Sequence, residues 1–367
     1  MKNACIVVQK RIEPAHNGVS SVLRAFADCG YFFSEVRILL QRETEKLQKT
    51  VAELKKEAEN ILLLADKSAL TVIKGSFLDS FSNATMKNSL SGAGIYADKN
   101  SALFLLSADE TETGAAYVKN ACVSFLQQKQ GVRFDKLSIR AVGANERRVL
   151  GLLSDAATVG EGKITCLYTR KYEEDRIEIL YDDRTPKMLI DDVLRLFVEG
   201  LGDTVYALND VSLEEQVISL LKLRKRKISV AESFTGGGIA KRLTSVSGAS
   251  AVYFEGLNTY HEDSKRKRLG VNEFTLRSKG AVSDQTAYEM AAGLLQTGDC
   301  DVALATTGLA GPNSDRFGLP VGLCFLAVGT KERIRVYRYV FNGNREEITE
   351  KAINYALYYA YRLLKDE

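Results

Sequence analysis

Histidine is scarce in this sequence, with only His16 and His261 among 367 residues. This scarcity excludes a histidine-rich metal centre and leaves few imidazole groups to act as a base. The six cysteines are scattered and form no C-x-x-C pair, which argues against a zinc site. Most of them lie in apolar runs, as buried free thiols in a reducing cytoplasm do. We therefore expect a cytoplasmic protein that uses neither a metal nor another cofactor.

A long apolar run and an excess of one charge are also missing. No run reaches the length that crosses a membrane, and the first residues lack the apolar core of a signal peptide. Lysine and arginine total 50 against 47 acidic residues, so the net charge is only +3. This balance gives no general attraction to nucleic acid. The expected partner is a small molecule rather than nucleic acid or a membrane.

The length and an apolar content of 45% are enough for several domains with sizeable cores. Residues 1–132 alternate between apolar runs and amphipathic helices, which predicts a doubly wound α/β domain. Within it, the serine- and asparagine-rich residues 76–91 are predicted to form a loop. Residues 133–208 predict a small KH-like α+β module, interpreted as structural because it lacks the G-x-x-G loop that clamps nucleic acid. Residues 209–367 predict a further α/β domain.

One stretch of the last domain, residues 228–240, reads ISVAESFTGGGIA and predicts a strand, a tight turn and a helix. Its glycines allow the backbone to come close to a ligand. A helix start also has unpaired N–H groups, so those of residues 236–238 would stabilise an oxyanion or hold a phosphate beside the Ser233 hydroxyl. The alternative is an ordinary glycine-rich connection in which Ser233 or Thr235 caps the helix.

Four polar side chains stand where strands of this domain end: Ser233, Tyr260, Lys265 and Thr307. Loops at strand ends are where α/β proteins place their ligands. A lysine held neutral can activate a serine, and a tyrosine can relay the proton. The alternatives are that Lys265 lies on a solvated helix face and Tyr260 at the edge of a core.

A lysine base must be neutral for part of the time near neutral pH, although a free lysine titrates at about 10.4. Burial of Lys265 against Tyr260 would lower its pKa. The neighbouring Arg266, Lys267 and Arg268 would lower it further if they lie close to the ammonium group.

Several motifs follow one another in order: A-E-S-F-T-G-G at residues 231–237, Tyr260 with Lys265, T-G-L-A-G-P at residues 307–312 and G-N-R at residues 343–345. From about Ser212 to the end, the chain resembles the C-terminal domain of the CinA (competence/damage-inducible protein) family. The resemblance implies an α/β amidase domain that converts nicotinamide mononucleotide to nicotinate mononucleotide and ammonia. It implies Ser233 as the nucleophile, with Tyr260 and Lys265 as its partners. The substrate-binding residues that it implies are Thr235, Gly236, Gly237, Thr307, Gly308, Gly311 and Arg345.

The whole layout resembles the longer CinA proteins, which have an N-terminal domain like those of molybdopterin-binding proteins and then a KH-like middle. The N-terminal domain departs from that pattern, since no G-T-E-L follows its first strand and no G-G-L-G-P-T-x-D-D follows its third. Because those segments carry the family's nucleotide pyrophosphatase chemistry, we expect that activity to be lost. Ser314-Asp315 stands where the family usually has a glycine pair, so the substrate preference is less defined than the reaction centre.

Two other functions stay open at this point. The degenerate N-terminal domain and Ser314-Asp315 are compatible with a nucleotide-binding or regulatory protein of weak catalytic power. A metal-dependent pyrophosphatase acting on ADP-ribose rests on the family layout alone. A pyridine nucleotide is the expected ligand in the favoured hypothesis, and a homo-oligomer is the expected assembly.

Overall fold

The computed structural model describes residues 2–11, 17–70, 85–90, 93–97, 101–109 and 111–366. The chain forms two compact units, of which one comprises Met1–Lys136 with Leu180–Pro186 and the other Leu137–Ile179 with Lys187–Glu367. Within the described residues, no helix has the length and apolar character that a membrane crossing needs. The domain limits predicted at residues 132 and 208 stay a prediction.

A six-stranded sheet with the order β2-β1-β3-β6-β5-β4 forms the centre of the first unit. The strands β2, β1, β3 and β6 run parallel, while β5 and β4 are added antiparallel at one edge. The strands are β1 (Asn3–Gln9), β2 (Glu35–Leu40), β3 (Asn60–Ala65), β4 (Thr85–Leu90), β5 (Ala93–Ala97) and β6 (Ala102–Ser107). The helices are α1 (Asn17–Ala27), α2 (Thr44–Glu57), α3 (Thr111–Tyr117) and α4 (Val123–Gln130), and a π-helix, Val118–Cys122, joins the last two.

The predicted doubly wound arrangement is confirmed by the two cores of this sheet. Ile6 and Val8 pack into a core that includes Val51 of α2. Cys5 and Val7, which point the other way along β1, pack into a second core with Phe26 of α1. A strand buried on both faces is therefore apolar along its centre, as Ala4–Val8 of β1 are.

The predicted loop over residues 76–91 is wrong for residues 85–90, which form β4. The rest of that stretch lies outside the described residues. The sequence TMKNSL lacks an apolar alternation because, among the strands that the structure describes, β4 lies at the sheet edge and pairs with β5 alone. Its pairing rests on backbone hydrogen bonds, which leave no hydrophobic signature in the sequence.

A four-stranded sheet with the order β10-β7-β9-β8 and two helices forms the predicted α+β module. Its elements are β7 (Phe134–Val142), α5 (Glu146–Val159), β8 (Thr165–Lys171), β9 (Glu174–Asp182), α6 (Lys187–Leu201) and β10 (Val205–Ala207). Strands β8 and β9 form a hairpin whose two-residue turn is Tyr172 and Glu173, both with positive φ.

A five-stranded sheet with the order β12-β11-β13-β14-β15 supports the last domain. Strands β12, β11 and β13 are parallel, and β14 and β15 continue antiparallel. The strands are β11 (Ile228–Glu232), β12 (Tyr253–Asn258), β13 (Val302–Gly308), β14 (Leu323–Gly329) and β15 (Ile334–Val340). The helices are α7 (Leu213–Arg224), α8 (Gly238–Ser245), α9 (Glu262–Leu269), α10 (Glu273–Ser278), α11 (Asp284–Gln296) and α12 (Arg345–Asp366).

Helices cover both faces of this sheet, so its central strands are buried. Val230 lies in a core that includes Leu357 of α12. Ala231, the next residue of β11, lies in the opposite core, with Met290 of α11. Because β12, β11 and β13 are parallel, their carboxyl ends meet at one edge of the sheet. This edge is where an open α/β sheet offers a ligand site, and Ser233 follows β11 directly there.

Candidate active site

A buried lysine and a buried serine are in direct contact at this edge. Lys265 Nζ lies 2.8 Å from Ser233 Oγ, and the two residues are 1% and 7% exposed. The predicted pairing of these two side chains is thus present in the structure. The alternative of a solvated Lys265 is wrong, as is that of a capping serine or threonine. Helix α8 begins after Gly237, which makes no side-chain cap.

Two main-chain carbonyls complete the surroundings of the lysine. Nζ donates to Thr259 O at 2.6 Å and to Tyr260 O at 3.3 Å. A neutral amine has two N–H groups and one lone pair. Donation to the two carbonyls would therefore leave the lone pair facing the Ser233 hydroxyl. This arrangement is the one that a general base needs.

Burial lowers the pKa of Lys265 from its ordinary value to about 8, against the opposing charge of Glu262. The predicted direction is right, but the proposed causes are only partly so. Arg266, Lys267 and Arg268 are exposed to solvent, and desolvation is the larger effect. Water screens those three cations, so their charges act weakly on the buried amine.

Glu232, the last residue of β11, was missed by the sequence reasoning. Its carboxylate is 1% exposed and accepts the N–H groups of Gly237 at 3.0 Å, Ile239 at 3.1 Å and Ala240 at 2.8 Å. An acidic residue that ends an apolar strand, just before a glycine turn and a helix, was the available signal. The carboxylate caps α8 and compensates its positive dipole end.

The predicted oxyanion or phosphate contact of residues 236–238 is corrected by this capping. The N–H of Gly237 is bound to Glu232, while Gly236 donates to Ser233 O at 3.1 Å and Gly238 to Thr235 O at 3.0 Å. Gly236 and Gly237 have φ of 62° and 95°, so they serve the path of the turn. These N–H groups already have acceptors within the protein, as the first N–H groups of a helix commonly do.

The N–H groups of the two residues that directly follow Ser233 differ from those of residues 236–238 in their hydrogen bonding. Across the part of the chain that the structure describes, Phe234 N and Thr235 N have no acceptor. The Thr235 hydroxyl is not free, since it lies 2.7 Å from the hydroxyl of Thr306 in a buried pair. The main-chain N–H of Thr235 is therefore the group that is available for the predicted ligand contact.

Tyr260 and Arg345 form the exposed side of the site. Tyr260 is 62% exposed, so most of the burial of Lys265 comes from other residues. Arg345 Nη2 donates to Tyr260 Oη at 3.1 Å, and Nη1 donates to Gly311 O at 2.7 Å. It is the carbonyl of Tyr260, rather than the phenol, that reaches Lys265. The structure thus joins Tyr260, Arg345 and Gly311 beside the Ser233–Lys265 pair.

The G-N-R motif shapes the start of α12. Asn344 Oδ1 accepts the Glu347 N–H at 3.0 Å, and Glu347 Oε2 accepts the Asn344 N–H at 2.8 Å. Gly343 has φ of 133°, and a Cβ there would lie 2.5 Å from Glu347 Oε2. The motif therefore caps the helix and places Arg345 at its first position.

Thr307 and Gly308 support the site from behind. Thr307 is fully buried and donates its hydroxyl to Ala281 O at 2.6 Å. A Cβ at Gly308 would lie 2.6 Å from Cys324 Cβ and 2.9 Å from Phe234 Cε1. The Thr307 hydroxyl is thus used within the protein, and Gly308 is a position where only a residue without a Cβ fits. A contact of either main chain with the ligand stays a prediction.

The loop with the unusual Ser314-Asp315 pair is held by its own side chains. Asp315 Oδ1 accepts the N–H groups of Phe317 at 3.0 Å and Leu319 at 3.1 Å. Arg316 donates to Leu276 O at 3.2 Å. The carboxylate thus fixes a turn that the more usual glycines would leave free to vary. Among the described residues, no group of three histidine, cysteine or acidic side chains is arranged to hold a metal ion.

The CinA C-terminal domain family matches residues 210–364, the span that contains the whole site. Residues 210–364 are therefore a CinA C-terminal domain. A putative competence-damage inducible protein of Caldicellulosiruptor saccharolyticus is 35% identical over 237 residues, which are 64% of this chain and 58% of the relative. One from Clostridium beijerinckii is 42% identical over 164 residues, which are 45% of this chain and 40% of the relative. The chain spans about half the length of these curated relatives.

Solved structures of CinA proteins are similar to about two fifths of the chain. A competence/damage inducible protein from Agrobacterium tumefaciens is 38% identical and covers 41% of this chain and 94% of its own, with a TM-score of 0.39. A CinA superfamily protein from Klebsiella pneumoniae is 31% identical and covers 42% and 97%, with a TM-score of 0.41.

Proposed function

We propose that this chain hydrolyses the carboxamide of nicotinamide mononucleotide, giving the carboxylate and ammonia. The observation that carries the proposal is the contact of 2.8 Å between buried Lys265 Nζ and Ser233 Oγ. A lysine with its pKa lowered to about 8 is neutral often enough to accept a proton near neutral pH. A serine with such a neighbour is an activated nucleophile.

In the first half of the reaction, Ser233 Oγ attacks the carboxamide carbon while its proton passes to Lys265 Nζ. The carbonyl π bond opens to an oxyanion. Lys265 then returns the proton to the amide nitrogen, the C–N bond breaks, and ammonia leaves. The product of this half is an ester between the substrate acyl group and Ser233 Oγ.

The oxyanion needs hydrogen-bond donors that are not already bound to another acceptor. Phe234 N and Thr235 N directly follow the nucleophile and carry no hydrogen bond within the described part of the chain. We assign them as the oxyanion donors in place of residues 236–238. Donors fixed in advance stabilise the developing charge without a cost of reorganisation at that moment.

In the second half, water replaces the ammonia. Lys265 Nζ takes one proton from the water as its oxygen attacks the ester carbon. The proton then passes to Ser233 Oγ as the C–O bond breaks. The acid is released and the serine is restored, so the sum is one amide and one water converted to one carboxylate and one ammonium ion.

Arg345 is the group proposed to bind the nucleotide phosphate. Its guanidinium is exposed and is held by neutral oxygens, those of Gly311 and Tyr260. The start of a helix is the positive end of its dipole, so the guanidinium of Arg345 adds a second positive charge there. A phosphate would be attracted by both charges. The Tyr260 hydroxyl fixes one edge of that guanidinium, and this role replaces the proton relay expected from the sequence.

The test is ammonia release from nicotinamide mononucleotide by the purified chain, with Ser233→Ala as the control. Removal of the nucleophile is expected to reduce kcat by about 10⁴-fold or more, to the level that binding alone supports. Mass spectrometry of a quenched reaction should show the ester on the wild-type protein. Equal ammonia release from both proteins, or none from either, would contradict the proposal.

One observation favours a second candidate, a nucleotide-binding protein without turnover. Lys265 Nζ has three oxygen neighbours, which also suit three donated hydrogen bonds from a protonated ammonium group. In that state the lysine accepts no proton and Ser233 stays a poor nucleophile. Calorimetric binding of nicotinamide mononucleotide without ammonia release would identify this case.

A further inference from the structure

The strained turn between β8 and β9 lies against the start of α12. We propose that this hairpin tip, Tyr172 and Glu173, is a positioning element for the active site that fixes the first turn of α12 and therefore Arg345. The inference rests on the proposed function, because it assigns the α+β module a part in binding the nucleotide. It predicts that a residue far from the nucleophile in sequence sets the affinity for the substrate.

The backbone of the hairpin tip is the first observation. Tyr172 and Glu173 have φ of 53° and 64°, which is the left-handed region. A two-residue hairpin turn of this kind is built most readily from Asn-Gly, and neither residue here is of that type. Residues other than glycine and asparagine adopt this conformation at an energetic cost. They keep it only where the surrounding structure holds them in it.

Two hydrogen bonds join the tip to α12. Tyr172 Oη donates to Glu346 Oε1 at 2.9 Å, and the carbonyl of Tyr172 accepts Asn354 Nδ2 at 2.8 Å. Glu346 and Asn354 are eight residues apart, so they lie on one face of the helix. The tip therefore holds α12 at its first turn and again about two turns later.

Both sides of this junction are anchored. On the hairpin side, the carbonyl of Glu173 accepts the N–H of Gly143 at 2.9 Å, and Arg170 pairs with both Glu173 and the fully buried Asp175. On the helix side, Asn354 Oδ1 accepts Arg242 Nη1 at 2.5 Å. The contact therefore links two parts of the structure that are each held in place.

The link reaches the substrate site through one residue. Glu346 follows Arg345, whose guanidinium extends over Gly311 O and Tyr260 Oη. Loss of the Tyr172 bond would loosen the first turn of α12 and let the guanidinium move. Ser233 and Lys265 lie on other elements and would keep their contact. The change should therefore weaken nucleotide binding and leave the chemical step intact, a rise in KM without a fall in kcat.

The experiment compares Tyr172→Phe, which removes only the hydroxyl, with Tyr172→Asn, which removes the ring and suits the left-handed backbone. Tyr181→Phe is the matched control, because Tyr181 lies on the same hairpin at the far end of β9. Each protein is assayed on nicotinamide mononucleotide and on nicotinamide riboside, which lacks the phosphate. KM for the nucleotide should rise about threefold or more in both Tyr172 variants, as for the loss of one partly solvated hydrogen bond to a carboxylate. The kcat values and all constants for the riboside should match those of the control.

An unchanged KM for the nucleotide in both variants overturns the inference, and so does an equal rise in KM for the riboside. A second measurement separates this result from the proposed function. Hydrogen–deuterium exchange of residues 345–350 needs no turnover, and it should be faster in both Tyr172 variants than in Tyr181→Phe. If the wild-type chain hydrolyses no amide, the proposed function fails while the exchange still decides the role of the hairpin. Unchanged exchange at those residues overturns that role.

Discussion

Burial and a nearby negative charge oppose each other at Lys265. Burial favours the neutral amine and Glu262 favours the ammonium form, while the carbonyls of Thr259 and Tyr260 accept hydrogen bonds from either form. With a pKa of about 8, roughly one molecule in ten has the neutral form at pH 7. This fraction is enough for a general base, and the rate should rise with pH until the lysine is mostly neutral. The pH profile of kcat should therefore have an acid limb near pH 8.

Lys265→Arg tests that role with the charge retained. Arginine cannot lose its proton in this range, so the variant is expected to lose about 10²- to 10⁴-fold in kcat, the usual contribution of a general base. KM should change much less, because the loss falls on the transition state. Lys279→Arg, a change of an exposed lysine, serves as the control. A Lys265→Arg protein with near-wild-type kcat would reduce Lys265 to an electrostatic contact.

At the level of residues, the motifs identified the two side chains that contact each other in the site. They did not identify which backbone groups around them are hydrogen-bonded and which are free. Ser233 and Lys265 could be predicted because the motifs that contain them resemble those of the CinA family. The capping role of Glu232 and the unbound N–H groups of Phe234 and Thr235 could not. They depend on which backbone groups the turn leaves unpaired, and that follows only from the path of the chain.

At the level of elements, the connection from β11 to α8 is the one that presents the nucleophile. Its helix is short, eight residues, and its start is held by the buried Glu232 carboxylate. A short helix gains little from its own propensity, so its end contacts matter more. The position of Ser233 therefore depends on the residue just before it.

Glu232→Gln is the change that tests this dependence. The amide keeps one acceptor oxygen but turns an N–H₂ group toward the helix N–H groups and removes the charge. We expect the free energy of unfolding to fall by about 2 kcal/mol, as for a lost charge-assisted cap. Glu255→Gln, on the neighbouring β12, provides the control. If both variants unfold at the same urea concentration, the carboxylate contributes nothing to the helix start.

Secondary structure was predictable where the core imposes a pattern. β1, β3 and β11 are buried at every position and mostly apolar, because helices cover both faces of their sheets. β4 was missed because an edge strand needs no such pattern. The contact of the hairpin tip with α12 could not be predicted, because it joins residues 182 positions apart in the chain, Tyr172 and Asn354.

At the scale of the whole molecule, α12 connects the features described above. It begins with Arg345, receives the hairpin tip at Glu346 and Asn354, and packs its apolar face into the core that also includes Val142, from the α+β module. A change in the hairpin tip or in this core is therefore expected to alter the position of Arg345 at the substrate site. Burial of the charged lysine lowers the free energy of unfolding of the whole domain. This effect can be measured as a dependence of stability on pH.

Folding lowers the pKa of Lys265 from about 10.5 to about 8, so the unfolded chain binds more protons between these values. The lysine's contribution to the free energy of unfolding should then rise with pH through that window, by about 3 kcal/mol in total. It is least favourable below pH 8, where the buried group must be charged.

Lys265→Met removes the titration and keeps a long side chain, so the difference in stability between wild type and variant isolates this residue from the other groups that titrate. Urea unfolding of both proteins at pH 7, 8, 9 and 10 should show the difference shifting steadily in favour of the wild type. A difference that does not change with pH would mean that the lysine keeps an ordinary pKa in the fold, and the proposed base would then be charged whenever the substrate arrives.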